Sequence, residues 1–171
     1  MTEYKVEKKS RKEFRRIAYA IRKFLNLQNV LFFPVVQTWE ILPELFPEWE
    51  FRIVDDSFLP SNVHGYTDVV KKEVCIKESV YEGACLNRGR DRMTILHEIA
   101  HCITLGILGF RLYRSFGEEI RPCENPEWQA NCLAGELLVP YHLARGFSIE
   151  EIMDKCGVSR EAALKQYKHL S

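Results

Sequence analysis

The feature that most constrains this 171-residue chain is a set of three polar residues inside an apolar helical segment. Residues 91–105 carry apolar side chains around nearly the whole circumference of a predicted helix, which is typical of a helix buried in a core. His97, Glu98 and His101 interrupt that pattern. Imidazole and carboxylate groups are costly to bury unless they find partners. The segment therefore predicts a buried helix that carries a functional site.

The spacing of the two histidines indicates a metal site. His97 and His101 lie four residues apart, so their imidazoles project from one face of the helix. Two nitrogens at this spacing suit one Zn²⁺ ion, whose Zn–N bonds measure about 2.0–2.1 Å. Glu98 is rotated by about 100° from His97, where its carboxylate would flank the ion and reach a water molecule. This is the HExxH motif. Two hydrogen-bonded core histidines are the alternative, but that explains a lone histidine better than this pair.

A zinc site of this kind needs a third protein ligand. Glu127 is the preferred candidate, because it lies near the start of a second predicted apolar helix. Glu124 is the rival and Glu136 a more distant one. Alternatively, Glu127 only stabilises the helix dipole as a first-turn carboxylate. Asn131 lies one turn after Glu127, where its side chain would hydrogen-bond the non-metal nitrogen of a ligand imidazole.

Length and charge limit the class of protein. A chain of 171 residues predicts one domain that can bury a core without disulfides. Its 24 basic and 24 acidic residues cancel, so it lacks the global basic field of a nucleic-acid-binding protein. The apolar run at residues 30–33 is far too short to cross a membrane. The first residues show no signal peptide and the six cysteines form no CxxC pair, so we expect a cytoplasmic protein with reduced thiols.

The periodicity of apolar residues predicts several helices. They cover part of residues 1–25, then 38–45, 91–105, 126–139 and, as two short helices on either side of Gly157, 148–170. Thr38 and Asp91 are the predicted N-caps, Pro126 suits a first helical position, and Gly106 and Gly109 supply a stop signal. The N-terminal helix has a basic outer face. That face is either solvated or a contact surface for an acidic partner or nucleic acid.

Three segments predict β-strands, which makes the fold class α+β. They are residues 51–54, 65–70 and 73–77, and together they predict a small antiparallel sheet. We expect residues 1–147 to form the main domain and residues 148–171 to form a helical tail packed on it. If strand 73–77 lies at an edge, it could bind a substrate as an added strand, although ordinary sheet structure explains the same residues.

Two blocks of sequence resemble the ImmA/IrrE family of metallopeptidases. The first is RMTILHEIAH at residues 92–101, and the second is EWQANCLAGELLVP at residues 127–140. The family's second block reads roughly E-x-x-A-N-x-F-A-x-x-L-L-M-P. This chain has Leu133 and Val139 where Phe and Met are usual, and both exchanges keep the positions apolar. The resemblance covers about residues 65–165, including part of the tail.

The resemblance implies a zincin-like domain with a gluzincin-type site. In such a site His97, His101 and Glu127 hold a zinc ion and Glu98 acts as the catalytic base. It also implies an endopeptidase inside bacteria that cleaves, or merely engages, a helix-turn-helix transcriptional repressor encoded nearby. We expect neither direct nucleic-acid binding nor membrane contact, and the oligomeric state is not predicted.

A peptidase of this kind gains from a donor that stabilises the developing oxyanion. Tyr66, Tyr113, Tyr141 and His142 are the candidates, and the sequence does not choose among them. His142 is also explained as a surface loop histidine.

Three classes of function remain open at this stage. The first is a zinc-dependent endopeptidase, the second an anti-repressor that acts by docking, and the third a DNA-binding regulator. The presence of Glu98 favours the first, because docking has no use for a general base. The third rests on the basic N-terminal face and the tail. Since residues 148–171 hold four acidic and four basic residues, they favour packing or protein contact over DNA binding.

Overall fold

The computed structural model describes residues 3–171 as an α+β fold dominated by helices. The helices are α1 (Arg11–Phe24), α2 (Val35–Leu45), α3 (Glu78–Cys85), α4 (Gly89–His101), α5 (Pro126–Leu138), α6 (Tyr141–Ala144), α7 (Ile149–Cys156) and α8 (Arg160–Tyr167). The strands are β1 (Glu3–Val6), β2 (Glu50–Val54), β3 (Gly65–Asp68), β4 (Glu73–Lys77) and β5 (Leu112–Ser115). Short 3₁₀ turns occupy Asp56–Phe58 and Pro122–Glu124, and a π-helical turn, Cys102–Ile107, extends α4.

The three predicted strands form one sheet in the order β2-β4-β3. β3 and β4 are antiparallel, as predicted, but β2 runs parallel to β4, so the sheet is mixed and the prediction of an all-antiparallel sheet was wrong. After β2 the chain crosses over to form β3, and it then turns back so that β4 lies between β2 and β3. β4 is therefore the central strand and cannot accept a substrate strand. The free edge beside α4, among the described strands, belongs to β3.

A second sheet was not predicted at all. β1 pairs antiparallel with β5, and Glu3 lies opposite Ser115. Both strands are short and partly polar, so neither shows a local strand pattern, and their pairing depends on a contact between distant parts of the sequence. The N-terminal helix accordingly begins at Arg11, after a capping box formed by Ser10 and Glu13.

The core lies where α5 packs between α1 and α4. The apolar side chains of Ile95, Leu96 and Ile99 on α4 and of Leu133 and Leu137 on α5 are all buried there. The prediction of two buried helices is thus confirmed. α5 begins at Pro126 behind Asn125, whose side chain accepts from two backbone N–H groups of the first turn.

The predicted helix starts were less accurate. α2 begins three residues before Thr38, whose hydroxyl donates to the Pro34 carbonyl oxygen instead of capping the helix. α4 begins at Gly89, which places Asp91 inside its first turn. Helix α3 was not predicted. At the other end of α4, Gly106 lets Trp49 approach, because an added Cβ would lie 2.1 Å from its ring.

The C-terminal tail forms the two short helices that were predicted. α7 ends at Gly157, whose φ of 63° is the left-handed conformation that favours glycine, and Ser159 caps α8. Ile152, Cys156 and Ala163 belong to the same buried cluster as the rest of the core. The division of the chain at residue 147 stays a prediction. All six cysteines are free. No helix of the described chain is long and apolar enough to span a bilayer.

Arg22 departs from the expected basic outer face of α1, because it is completely buried. Its guanidinium donates to the backbone carbonyl oxygens of Leu137 on α5 and of Leu27, Val30 and Leu31 in the following loop. Burial lowers the pKa of Arg22 to about 10. The residue joins α1, the loop and α5 through one side chain.

Arg22→Met should lower the free energy of unfolding by about 3 kcal/mol or more, because several buried carbonyl oxygens lose their donor. Lys23→Met is the matched control, since Lys23 is the next residue of the same helix and is exposed. Urea denaturation followed by circular dichroism measures both. Equal stability of the two variants would show that the Arg22 contacts contribute little.

Candidate active site

Helices α4 and α5 bring His97, His101 and Glu127 together. The Nε2 atoms of the two histidines lie 3.1 Å apart. Glu127 places one carboxylate oxygen 3.1 Å from Nε2 of His97 and the other 3.1 Å from Nε2 of His101. The two histidines share a face of α4, as their spacing predicted, and Glu127 meets that face from the first turn of α5.

Asn131 fixes the orientation of the first histidine. Nδ1 of His97 lies 2.9 Å from Oδ1 of Asn131. Because an amide oxygen only accepts, the imidazole carries a proton on Nδ1, so that in the neutral ring the lone pair is on Nε2. The Nε2 atom faces Glu127 and His101, and the lone pair of the neutral ring is what a metal ion there would bind. Asn131 lies one turn after Glu127, so one face of α5 supplies both groups.

The three side chains have the chemistry and the separation of a metal-binding group. Their donor atoms all lie within 4.8 Å of one another. A tetrahedral ion with bonds of about 2.0–2.1 Å separates its ligand atoms by about 3.3 Å, close to the distances here. Two imidazole nitrogens and one carboxylate oxygen, with one imidazole oriented by a hydrogen bond, fit a bound metal ion.

The electrostatics of the group agree with that function. The hydrogen bond with His101, and next the one with His97, hold the pKa of Glu127 well below its usual range. Burial lowers the pKa of His97, but its contact with Glu127 and the charge of Glu98 outweigh burial, so the net shift is upward. Glu127 therefore remains an anion, which is the form that binds metal.

Glu98 occupies a different environment beside this group. Its side chain is buried, and burial raises its pKa. The hydroxyl of Thr67, on β3, lies 2.9 Å from its carboxylate and 2.9 Å from its backbone carbonyl oxygen. Gly65 leaves room for this approach, since an added Cβ would lie 2.8 Å from the Cys75 carbonyl oxygen and 3.2 Å from Cγ of Glu98. A buried carboxylate with a raised pKa is suited to accept a proton.

His97, Glu98 and Asn131 open onto a groove of about 810 Å³. Its walls come from α4, α5, the start of β3 and helix α8 of the tail. The tail thus contributes directly to the surroundings of the site.

The two rival ligands lie elsewhere. Glu124 pairs with Arg121 at 3.7 Å. Glu136 is buried and pairs with Arg11 at 3.1 Å and with Arg15 at 3.0 Å. Neither belongs to the group of donors that Glu127 joins.

Within residues 3–171, none of the four candidate oxyanion donors lines the groove. Tyr66 donates its hydroxyl hydrogen to Glu73, beside Arg52. Tyr113 lies on β5 opposite Lys5. Tyr141 and His142 line a separate groove of about 540 Å³ beside α1.

Sequence reasoning did not identify Thr67, Gly65, His64 or Arg90, all of which lie at the groove or against Glu98. Thr67 and Glu98 are 31 residues apart and share no local pattern. Arg90 alone carried a signal, because it lies seven residues before His97 and so on the same face of α4.

Comparison with known proteins agrees with this geometry. The sequence model of the Peptidase_M78 family, described as the IrrE N-terminal-like domain, matches residues 52–168. The chain belongs to this family. The matched span contains the whole His–His–Glu group together with Glu98, and it begins after β1, α1 and α2. Comparison with curated proteins gives no match. Family membership and the donor group together indicate a metallopeptidase-type function.

Metal affinity should fall in a graded way when the group is altered. His101→Ala should abolish stoichiometric Zn²⁺ binding, because it removes one of three ligands. Asn131→Ala should weaken binding about 10–100-fold, because it only releases the orientation of His97. Glu124→Ala is the control and should bind Zn²⁺ like the parent protein. Competition with a chromogenic chelator measures all three. Loss of binding in Glu124→Ala with retention in Glu127→Ala would contradict the ligand assignment.

Proposed function

We propose that the protein is a zinc-dependent endopeptidase in which His97, His101 and Glu127 hold the ion and Glu98 is the general base. The observation that carries this proposal is the position of the buried Glu98 carboxylate, held by Thr67, beside a three-donor group at the side of a groove. A zinc ion bound there would act as a Lewis acid that makes a water molecule more acidic and polarises the peptide carbonyl.

In this proposal Glu98 carries the proton through the reaction. Its carboxylate accepts a proton from water as the water oxygen attacks the carbonyl carbon. The same carboxyl group then delivers that proton to the amide nitrogen as the C–N bond breaks. Thr67 holds the carboxylate in place through its hydroxyl, and Asn131 maintains the ligand tautomer of His97. The open edge of β3 would bind the substrate as an added strand.

We propose a helix-turn-helix transcriptional repressor as the substrate and the cytoplasm as the place of action. The support is membership of the Peptidase_M78 family, together with the resemblance to ImmA/IrrE proteins, which implies that such a repressor is the target inside the cell. Six free cysteines agree with a reducing compartment. A groove beside the site can take an extended segment of a protein chain.

Glu98→Gln should keep Zn²⁺ but lose cleavage by about 10²–10⁴-fold, since the amide cannot accept the proton. The assay incubates zinc-loaded protein with a helix-turn-helix repressor encoded beside its gene and identifies fragments by mass spectrometry. A reporter controlled by that repressor gives the second measurement. If Glu98→Gln relieves repression as well as the parent does, the protein acts by docking and the peptidase proposal is wrong.

Thr67→Val should lower kcat about tenfold with little change in KM, because one hydrogen bond to the general base is lost while the shape is kept. Thr67→Ser should retain most of the activity, since it restores the hydroxyl. Zn²⁺ content, measured in parallel, should be equal in all three proteins. A Ser variant as slow as the Val variant would mean that the hydroxyl does not restore the activity, and would contradict this role of the Thr67–Glu98 hydrogen bond.

A further inference from the structure

The groove at the active site carries an excess of basic side chains, although the whole chain is neutral. Four Lys or Arg residues line it: Arg11, Arg90, Lys165 and Lys168. Its acidic lining residues are Glu98, assigned above as the base, and Glu161, which pairs with Lys165 at 2.8 Å. The groove is therefore complementary to a negatively charged peptide segment.

Two of these cations have no carboxylate partner in the described chain. Arg11 is bound to Glu136 and Lys165 to Glu161, whereas Arg90 and Lys168 take part in none of the ion pairs among residues 3–171. Arg90 is the better placed of the two, because it lies on the helix that also carries the metal-binding histidines. Its side chain is exposed and lines the groove.

His64 holds the guanidinium of Arg90 in position. Nη2 of Arg90 lies 3.0 Å from Nε2 of His64. Since a guanidinium only donates, this imidazole nitrogen must accept, and the neutral ring carries its proton on Nδ1. One of the five guanidinium N–H groups is used in this contact. The remaining donors can form the paired hydrogen bonds that Arg makes with a carboxylate.

The distance of Arg90 from His97 along α4 indicates which residue of a bound substrate would contact Arg90. Arg90 precedes His97 by seven residues, which is about 10 Å along the helix axis. An extended chain advances about 3.3 Å per residue, so the carboxylate belongs two or three residues from the scissile bond. His64 directly precedes β3. Antiparallel pairing is the more stable kind. In a substrate strand added antiparallel to β3, the residues that follow the scissile bond lie beside the start of β3, next to His64.

We propose that Arg90, positioned by His64, forms a subsite for a substrate carboxylate at the second or third residue C-terminal to the scissile bond. This inference rests on the peptidase function proposed above and adds a substrate class to it. The carboxylate is either an Asp or Glu side chain or the C-terminus of the substrate chain.

Peptide hydroxamates test the subsite without requiring turnover. In each probe the hydroxamate binds the metal and marks the cleavage point. A leucine-like residue follows it as the first residue on the C-terminal side, and two variable residues take the second and third positions. Each probe carries Glu or Gln at the second or third position with an amidated end, and a further Gln probe has a free C-terminal carboxylate. Inhibition of a metal-dependent cleavage, or calorimetric titration of the zinc-loaded protein, gives the affinity.

The parent protein should bind a Glu probe at least tenfold more tightly than its Gln counterpart, which corresponds to one charge-assisted hydrogen-bonded pair. Arg90→Gln should abolish this preference and leave the affinity for the amidated Gln probe unchanged, which shows that the fold and the metal site are intact. Arg90→Lys should keep part of the preference, because it retains the charge without the fork. Arg16→Gln, which removes an equal charge from an exposed site on α1, should keep all of it.

The outcomes separate the two proposals. A preference for the free C-terminal carboxylate alone would support the subsite and assign it to the end of the substrate chain. Equal affinity for all probes, or a Glu preference that persists in Arg90→Gln, would overturn the subsite while the metal site stands. Failure of every hydroxamate to bind the zinc-loaded protein would overturn the peptidase proposal and the subsite with it.

Discussion

The interface between α4 and α5 is the constraint on which the rest of the site depends. His97 can present the lone pair of Nε2 to a metal ion only if its proton lies on Nδ1, where the Asn131 side chain accepts it. Glu127 reaches both histidines only if helix α5 is held in one fixed orientation about its own axis. That orientation is set on the opposite face of the helix, where Glu136 is buried against Arg11 and Arg15 of α1. Removing one partner of such a buried pair is costly, so the scaffold holds the site from behind.

This arrangement explains why one glutamate is a candidate ligand and the other is not. Glu127 and Glu136 are nine residues apart, which turns them to opposite sides of a helix at about 100° per residue. Periodicity alone therefore separates a face toward α4 from a face toward α1. The same arithmetic applies to Phe14, Ala18 and Arg22, which share the buried stripe of α1. The sequence pattern contained the position of Arg22, but its positive charge suggested the outer face.

Other parts of the structure were beyond local patterns. The pairing of β1 with β5, the parallel pairing of β2 with β4, and the contact of Thr67 with Glu98 all join segments distant in sequence. None of them leaves a trace in the periodicity of either segment. The His–His–Glu group was predictable because its first two members are helix neighbours and the third opens an apolar helix. Its surroundings were not, because they depend on how helices and sheet are placed against each other.

The neutral composition of the chain concealed an uneven distribution of charge. Acidic residues neutralise cations at the α1–α5 interface and along exposed helix faces, whereas Arg90 and Lys168 remain available at the groove. Helix α8 is part of that groove, so the tail does more than complete the core. A sheet edge binds any extended backbone, because its hydrogen bonds do not depend on side chains. In the peptidase proposed above, selection among proteins would therefore come from side chains such as Arg90, whose guanidinium is held by His64 at the groove and keeps free donors there.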